Sequence, residues 1–157
     1  MIGSEWKTNI VNMIFALSNR LQKIGDDLDE DTTVKQRLFI TAVSGFKEAP
    51  TLSELAASVG CSRQNAKRMA VDLEEMGFVV ISKDEQDARA LRICLTPGGE
   101  EYFENLGDWA KEPLDTLFTG FDDESMHGLH KGLLRLARNA NLNMNTNGST
   151  ALESGGT

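Results

Sequence analysis

Residues 62–71 place Arg63, Gln64, Asn65, Lys67 and Arg68 within one short stretch that contains no acid. Side-chain amides can pair with adenine edges, and guanidinium or ammonium groups with guanine or phosphate. The chemistry on offer is therefore recognition of duplex DNA. A catalytic alternative finds no support. The histidines, His127 and His130, lie far in sequence from any candidate nucleophile. Gly98-Gly99 reads as a turn rather than a phosphate-cradling loop. No enzyme and no cofactor are expected.

Those polar residues need a helix to present them. Ser62 can cap one that runs to about Gly77. Ala66, Met69, Ala70, Leu73 and Met76 then share one buried stripe, at steps of three and four. At 100° per residue Gln64, Arg68 and Val71 point the opposite way, with Lys67 beside them and Arg63 nearer the buried flank. Gln64, Asn65, Lys67 and Arg68 are the candidates for the major groove and Arg63 for backbone phosphate, and the capping Ser62 belongs to the same DNA-binding set. Upstream, Thr51 and Glu54 have capping-box spacing, and Leu52, Leu55, Ala56 and Val59 form an apolar face. Gly60 supplies a left-handed end. Helix, tight turn and second helix are expected in that order.

Two β-forming runs follow, 78–81 and 91–95, joined by the polar loop 82–90. With them the region 51–99 resembles the MarR family of winged helix-turn-helix regulators. The resemblance lies in SELAASVGCSRQNAKRMAVDLEEMGFV, in the Asp87-x-Arg89 pair, and in the LTPGG that follows. It implies a wing whose Arg89 reaches the minor groove or a phosphate, with Asp87 orienting it through an ion pair. Lys83 flanks the wing, and Arg92, on the outward face of the second strand, is a further phosphate candidate.

The flanks read as helices. Trp6, Ile10, Met13, Ile14, Leu17, Leu21, Ile24 and Leu28 recur along one amphipathic helix of about 25 residues, ended by Gly25 and the acidic run 26–31. Thr32 or Thr33 can cap a helix to about Phe46. Thr96-Pro97 opens another, which Pro113 should kink or break. Gly120 closes that region, and Asp122-Asp123-Glu124 opens a last helix. The expected fold is mainly α with a small β-hairpin wing. Residues 1–31 and 97–140 form a helical dimerisation region, 32–96 the winged helix-turn-helix lobe, and 141–157 a disordered tail. The homodimer follows mainly from the resemblance.

The net charge of −8 runs against DNA binding until it is divided along the chain. Six basic residues meet seven acidic ones in 1–50, and six meet seven in 51–96, but only four meet ten in 97–157. The acidity is C-terminal, and a groove-facing helix needs only a local positive field. Cys61 and Cys94 form no disulfide framework. Cys61, next to a helix N-terminus and Arg63, is placed where a thiol pKa falls, and Cys94 is placed in the core. His127 and His130 have chelating spacing but lack a clear third ligand, so no metal site is expected. Glu5, Lys7 and Arg20 interrupt the N-terminal apolar stretch, which argues against a signal peptide or membrane span and for a cytoplasmic protein.

The reading is a homodimeric, sequence-specific repressor of MarR type. It would bind a pseudo-palindromic operator in double-stranded DNA and be released by a small, aromatic effector. Trp6, Phe15, Phe39, Phe46, Tyr102 and Trp109 could line an effector cleft, although each reads first as ordinary core. A redox- or metal-responsive regulator of the same fold, or a winged-helix protein-interaction module, are the alternatives.

Overall fold

The computed structural model describes residues 3–142. They divide after Arg37 into two compact units. The first holds helix α1 (Ser4–Asp26), whose side chains are all at least partly open to solvent. The helix ends at Gly25-Asp26, where the acidic run begins, as the sequence predicts. The loop after it is tied locally. The Val34 N–H donates to Asp26 Oδ1 at 2.6 Å, and Arg37 donates to the Gly25 and Thr32 carbonyls at 2.5 and 2.8 Å. Thr33 and Gln36 make a reciprocal cap, Thr33 Oγ1 accepting from the Gln36 N–H and Gln36 Oε1 from the Thr33 N–H. That cap starts α2 (Val34–Ser44), as the sequence predicts.

The second unit contains the rest of α2, then α3 (Leu52–Val59), α4 (Arg63–Glu75), β1 (Val79–Lys83), β2 (Leu91–Leu95), α5 (Pro97–Leu117) and α6 (Asp123–Asn139). The predicted starts of α3 and α4 are met atom by atom. Thr51 and Glu54 form a full capping box, Gly60 adopts φ 72°, and Ser62 Oγ accepts the Asn65 N–H at 3.2 Å. Phe39, Ile40, Leu55, Ala66, Ala70, Leu73 and Ile93 are fully buried together. Alanines on the inner face of α4 let it lie close against α3.

The hairpin is antiparallel, with Val79 opposite Leu95 and Lys83 opposite Leu91. Its first strand is shifted two residues later at its far end than the sequence suggests. The register corrects one expectation. Cys94 pairs with Val80 on the outward face and is exposed, while Ile93 faces the core. The Leu95 end of the strand is apolar on both faces, which hides the alternation.

Of the two outcomes expected at Pro113, a kink or a break, the break does not occur, and helix α5 continues through it to Leu117. Proline removes only the hydrogen bond to the Trp109 carbonyl four residues back, and the turns on either side persist. Gly120, at φ 85°, closes the region, and Asp122 caps α6 by accepting the Ser125 N–H at 2.8 Å. On α6 itself Met126, Leu129, Leu133 and Leu136 stay 37%, 41%, 45% and 42% exposed. Of the proposed tail, Asn141 and Leu142 close α6, the first with φ 56°. The remainder of that prediction, 143–157, lies outside the described residues.

Candidate nucleic-acid interface

The face of α4 that the core leaves free is polar. Arg63, Gln64, Asn65, Lys67 and Arg68 are all exposed, and Ser62 caps beneath them. This follows from periodicity. The core takes positions 66, 70 and 73 and so fixes the opposite face toward solvent.

The wing is built around two carboxylates. Asp84 Oδ1 accepts the Gln86 and Asp87 N–H groups at 2.8 and 2.9 Å. Asp87 Oδ1 accepts the Arg89 N–H at 3.0 Å. The tip closes with Ala90 N–H to the Asp87 carbonyl at 2.9 Å. Asp87 thus orients Arg89 through its backbone, where the sequence suggested an ion pair with its side chain. A carboxylate two residues before an amide reaches it readily, in an Asx turn. Arg89 and Lys83 remain exposed. Arg63 donates to the Arg89 carbonyl at 3.4 Å, so the start of α4 meets the wing. Between them lies a groove of about 200 Å³ lined by Thr51, Ser53, Arg63, Asp87, Arg89 and Leu91.

Arg92 behaves differently from the other cations. Its Nε pairs with Asp84, and its Nη1 donates to the Ala49 carbonyl at 2.5 Å. Ile93 N–H donates to the Pro50 carbonyl at 3.0 Å, and Thr51 bridges to Arg92. Arg92 therefore fastens the wing root to the segment before α3. Its guanidinium is committed to Asp84 and Ala49, which corrects its reading as a freely presented phosphate contact. Asp84 was not singled out from sequence. It stands diagonal to Arg92 across the hairpin, a relation visible only once the register is known. Glu74 was missed as well. Its Oε1 accepts the Ile81 N–H at 2.8 Å, joining the end of α4 to β1.

The bond to Arg92 and those to the Asp87 and Gln86 amides hold the Asp84 carboxyl below its ordinary value of 3.8. A carboxyl with a depressed folded pKa contributes stability above its unfolded pKa and loses it as pH falls through the folded one. The wing should therefore stay ordered at pH 5 and loosen only below about 3.8. Amide chemical shifts of residues 84–92 followed from pH 6 to 2.5 check this. A wing transition centred above pH 4.5 would contradict the lock.

Burial pushes the Cys61 thiol up from 9.0, against the lowering effect of the Ala66 and Cys61 backbone amides. The thiol also donates to the Ser62 carbonyl at 3.4 Å. This corrects the expectation of a lowered pKa, because desolvation outweighs the helix terminus. His127 Nδ1 lies 2.8 Å from the Asp123 carbonyl oxygen. Among the described residues no group of three or more His, Cys, Asp or Glu could hold a metal.

The effector candidates also redistribute. Only Phe39 is fully buried, while Trp6, Phe15 and Trp109 are 63%, 68% and 50% exposed. This corrects their reading as ordinary core. Tyr102 stacks on Phe78 at 4.6 Å and meets Trp109 edge-on at 5.5 Å. Among the described residues no helix is long and apolar enough to cross a membrane.

A three-helix module (α2, α3 and α4) with a two-stranded wing defines a winged helix-turn-helix, and the order of elements along the chain is that of MarR-type regulators. The chain superposes on a MarR protein from Peptoclostridium difficile with a TM-score of 0.78, at 20% identity over 90% of this chain and 93% of the other. It superposes on Bordetella bronchiseptica BpsR, whose DNA binding is regulated by 6-hydroxynicotinic acid, with a TM-score of 0.71, at 17% identity over 82% and 92%. In sequence it is similar to the transcriptional repressor MprA of Escherichia coli K12, 37% identical over 54 residues. That match spans 34% of this chain and 31% of MprA. No family model matches the chain.

Proposed function

We propose that the protein is a sequence-specific DNA-binding transcriptional regulator of MarR type. One observation carries this: α4 presents Gln64, Asn65, Lys67 and Arg68 on its free face, and its first residue meets a hydrogen-bonded wing that displays Arg89. A helix for the major groove and an adjacent loop that displays Lys83 and Arg89 to the neighbouring backbone or minor groove form one reading head. Ser62 and Arg63 hold the entry of α4 at the phosphates, with Lys83 on the wing. Asp87, Asp84 and Arg92 position the wing.

The protein acts as a homodimer. The apolar row of α6 lacks buried residues, and α1 likewise carries exposed Trp6, Ile10, Ile14, Phe15 and Leu17. A second copy that covers such rows would set two reading heads on a two-fold axis, suited to a pseudo-palindromic operator with half-sites about one helical turn apart. The described residues have no other visible use for this much exposed apolar surface. Operator occupancy represses by occluding a promoter. A small, aromatic effector releases the protein by favouring a different spacing of the heads. That the DNA binding of BpsR is regulated by 6-hydroxynicotinic acid supports the effector, and that MprA is a repressor supports repression. The protein works in the cytoplasm.

The test is an anisotropy titration with a duplex selected from a random-sequence pool, at two salt concentrations. Binding should be saturable, resist competitor DNA and weaken with salt. Arg68→Ala is expected to lower affinity by about tenfold or more and relax one base preference, while Arg89→Ala lowers the salt slope by about one. Unchanged binding in the double variant would defeat the reading.

A further inference from the structure

We propose that Val71 reads the C5-methyl group of a pyrimidine, so that the recognised site holds a thymine at a fixed position beside the base met by Arg68. The inference rests on the DNA-binding reading above and adds a specificity determinant to it.

Val71 is 38% exposed on a helix whose core is supplied by Ala66, Ala70 and Leu73, each fully buried. It therefore contributes little to that core. A β-branched residue is also a poor choice for an exposed helix position, where χ1 freedom is lost without packing in return. Yet it stands in the middle of the free face. Taking Gln64 as the reference direction, Arg68 lies about 40° to one side and Val71 about 20° to the other. Everything else exposed between 63 and 75 is polar. If this face enters the major groove, Val71 meets base edges. Those edges offer one apolar group, the methyl at pyrimidine C5.

The register of the contact follows from the helix. Val71 sits three residues past Arg68, about 4.5 Å further along the axis. Successive base pairs are about 3.4 Å apart. The two side chains therefore address neighbouring base pairs, with the long arginine reaching a guanine and the short valine needing close approach. Asp72 and Glu75 follow, both exposed. Carboxylates repel the phosphates, so the acidic end of α4 stays outside and Val71 is the last residue of the helix to enter. The same methyl could come from thymine or from 5-methylcytosine.

The test replaces each thymine of the selected duplex by deoxyuridine, one position at a time, which deletes only the methyl. At one position the substitution should weaken binding about three- to tenfold, the effect of one buried methyl group. Val71→Ala, a change that favours the helix, should bind the thymine and deoxyuridine duplexes alike. A further duplex carries cytosine or 5-methylcytosine at that position. A gain on methylation supports the contact, and binding tighter than to thymine would make 5-methylcytosine the source. If no deoxyuridine position matters, or if Val71→Ala still discriminates, the proposal fails while the DNA reading stands. If no duplex is recovered from the pool, both fall.

Discussion

Gly99→Ala is expected to lower the melting temperature by about 6–12 °C, the shift that a loss of roughly 3 kcal/mol produces in a chain of this size. A β-carbon at this position would lie 2.0 Å from the Phe78 carbonyl oxygen and 2.9 Å from its carbonyl carbon. Both are backbone atoms, so no side chain can swing away. The same carbonyl accepts the Thr96 N–H at 3.0 Å, and Thr96 Oγ1 donates to the Gly77 carbonyl at 2.5 Å while accepting the Gly99 N–H. The first turn of α5 is thus pressed onto the chain between α4 and β1, and any displacement breaks several hydrogen bonds at once. Gly107→Ala, in the same helix but with nothing within 4 Å of the added carbon, should be stabilising by about 0.5–1 kcal/mol. Differential scanning calorimetry of both variants separates close approach from helix propensity. Equal melting temperatures would rule out the contact as the cause.

Leu133→Asp should convert the proposed dimer to monomer and weaken operator binding at least about a hundredfold, the loss that follows when two linked contacts become one. Leu133 is the most exposed member of the α6 row, and Arg135 and Arg138 leave the helix otherwise able to stay in solution. A carboxylate placed in an apolar contact between copies is left unpaired and desolvated. In a lone protomer the same change lies in solvent and leaves the fold intact. Light scattering should therefore report half the wild-type mass, while circular dichroism keeps its helical signature. An unchanged mass would place the contact between copies elsewhere, and tight operator binding by a monomer would remove the need for a two-fold.

The parts of this fold that could be read from sequence are those decided within a few residues. Thr51 with Glu54, Gly60, Ser62, Thr96-Pro97 and Asp122 each satisfy or release backbone groups in their own turn, and each does so as expected. The polar face of α4 was legible for the same reason, since its direction depends only on helical period. What was not legible depends on register or on distant neighbours. Cys94 faces outward because it pairs with Val80. Arg92 meets Asp84 across a loop whose conformation no local pattern sets. The Cys61 thiol is governed by the burial around it rather than by the helix terminus beside it. Trp6 and Phe15 announce apolar surface, but a sequence does not say where such surface finds its cover.

The bond from the Ile81 amide to Glu74 has a further consequence. On its other side β2 is occupied by Pro50 and Thr51, so β1 forms the remaining edge of the sheet. An edge amide facing water is a template on which a strand from another molecule can add, the first step toward fibrous aggregates. Glu74 occupies that donor at the middle of a five-residue strand and places a negative charge where an incoming strand would have to lie. The side chain that couples helix to wing also guards the protein against growing by its own edge.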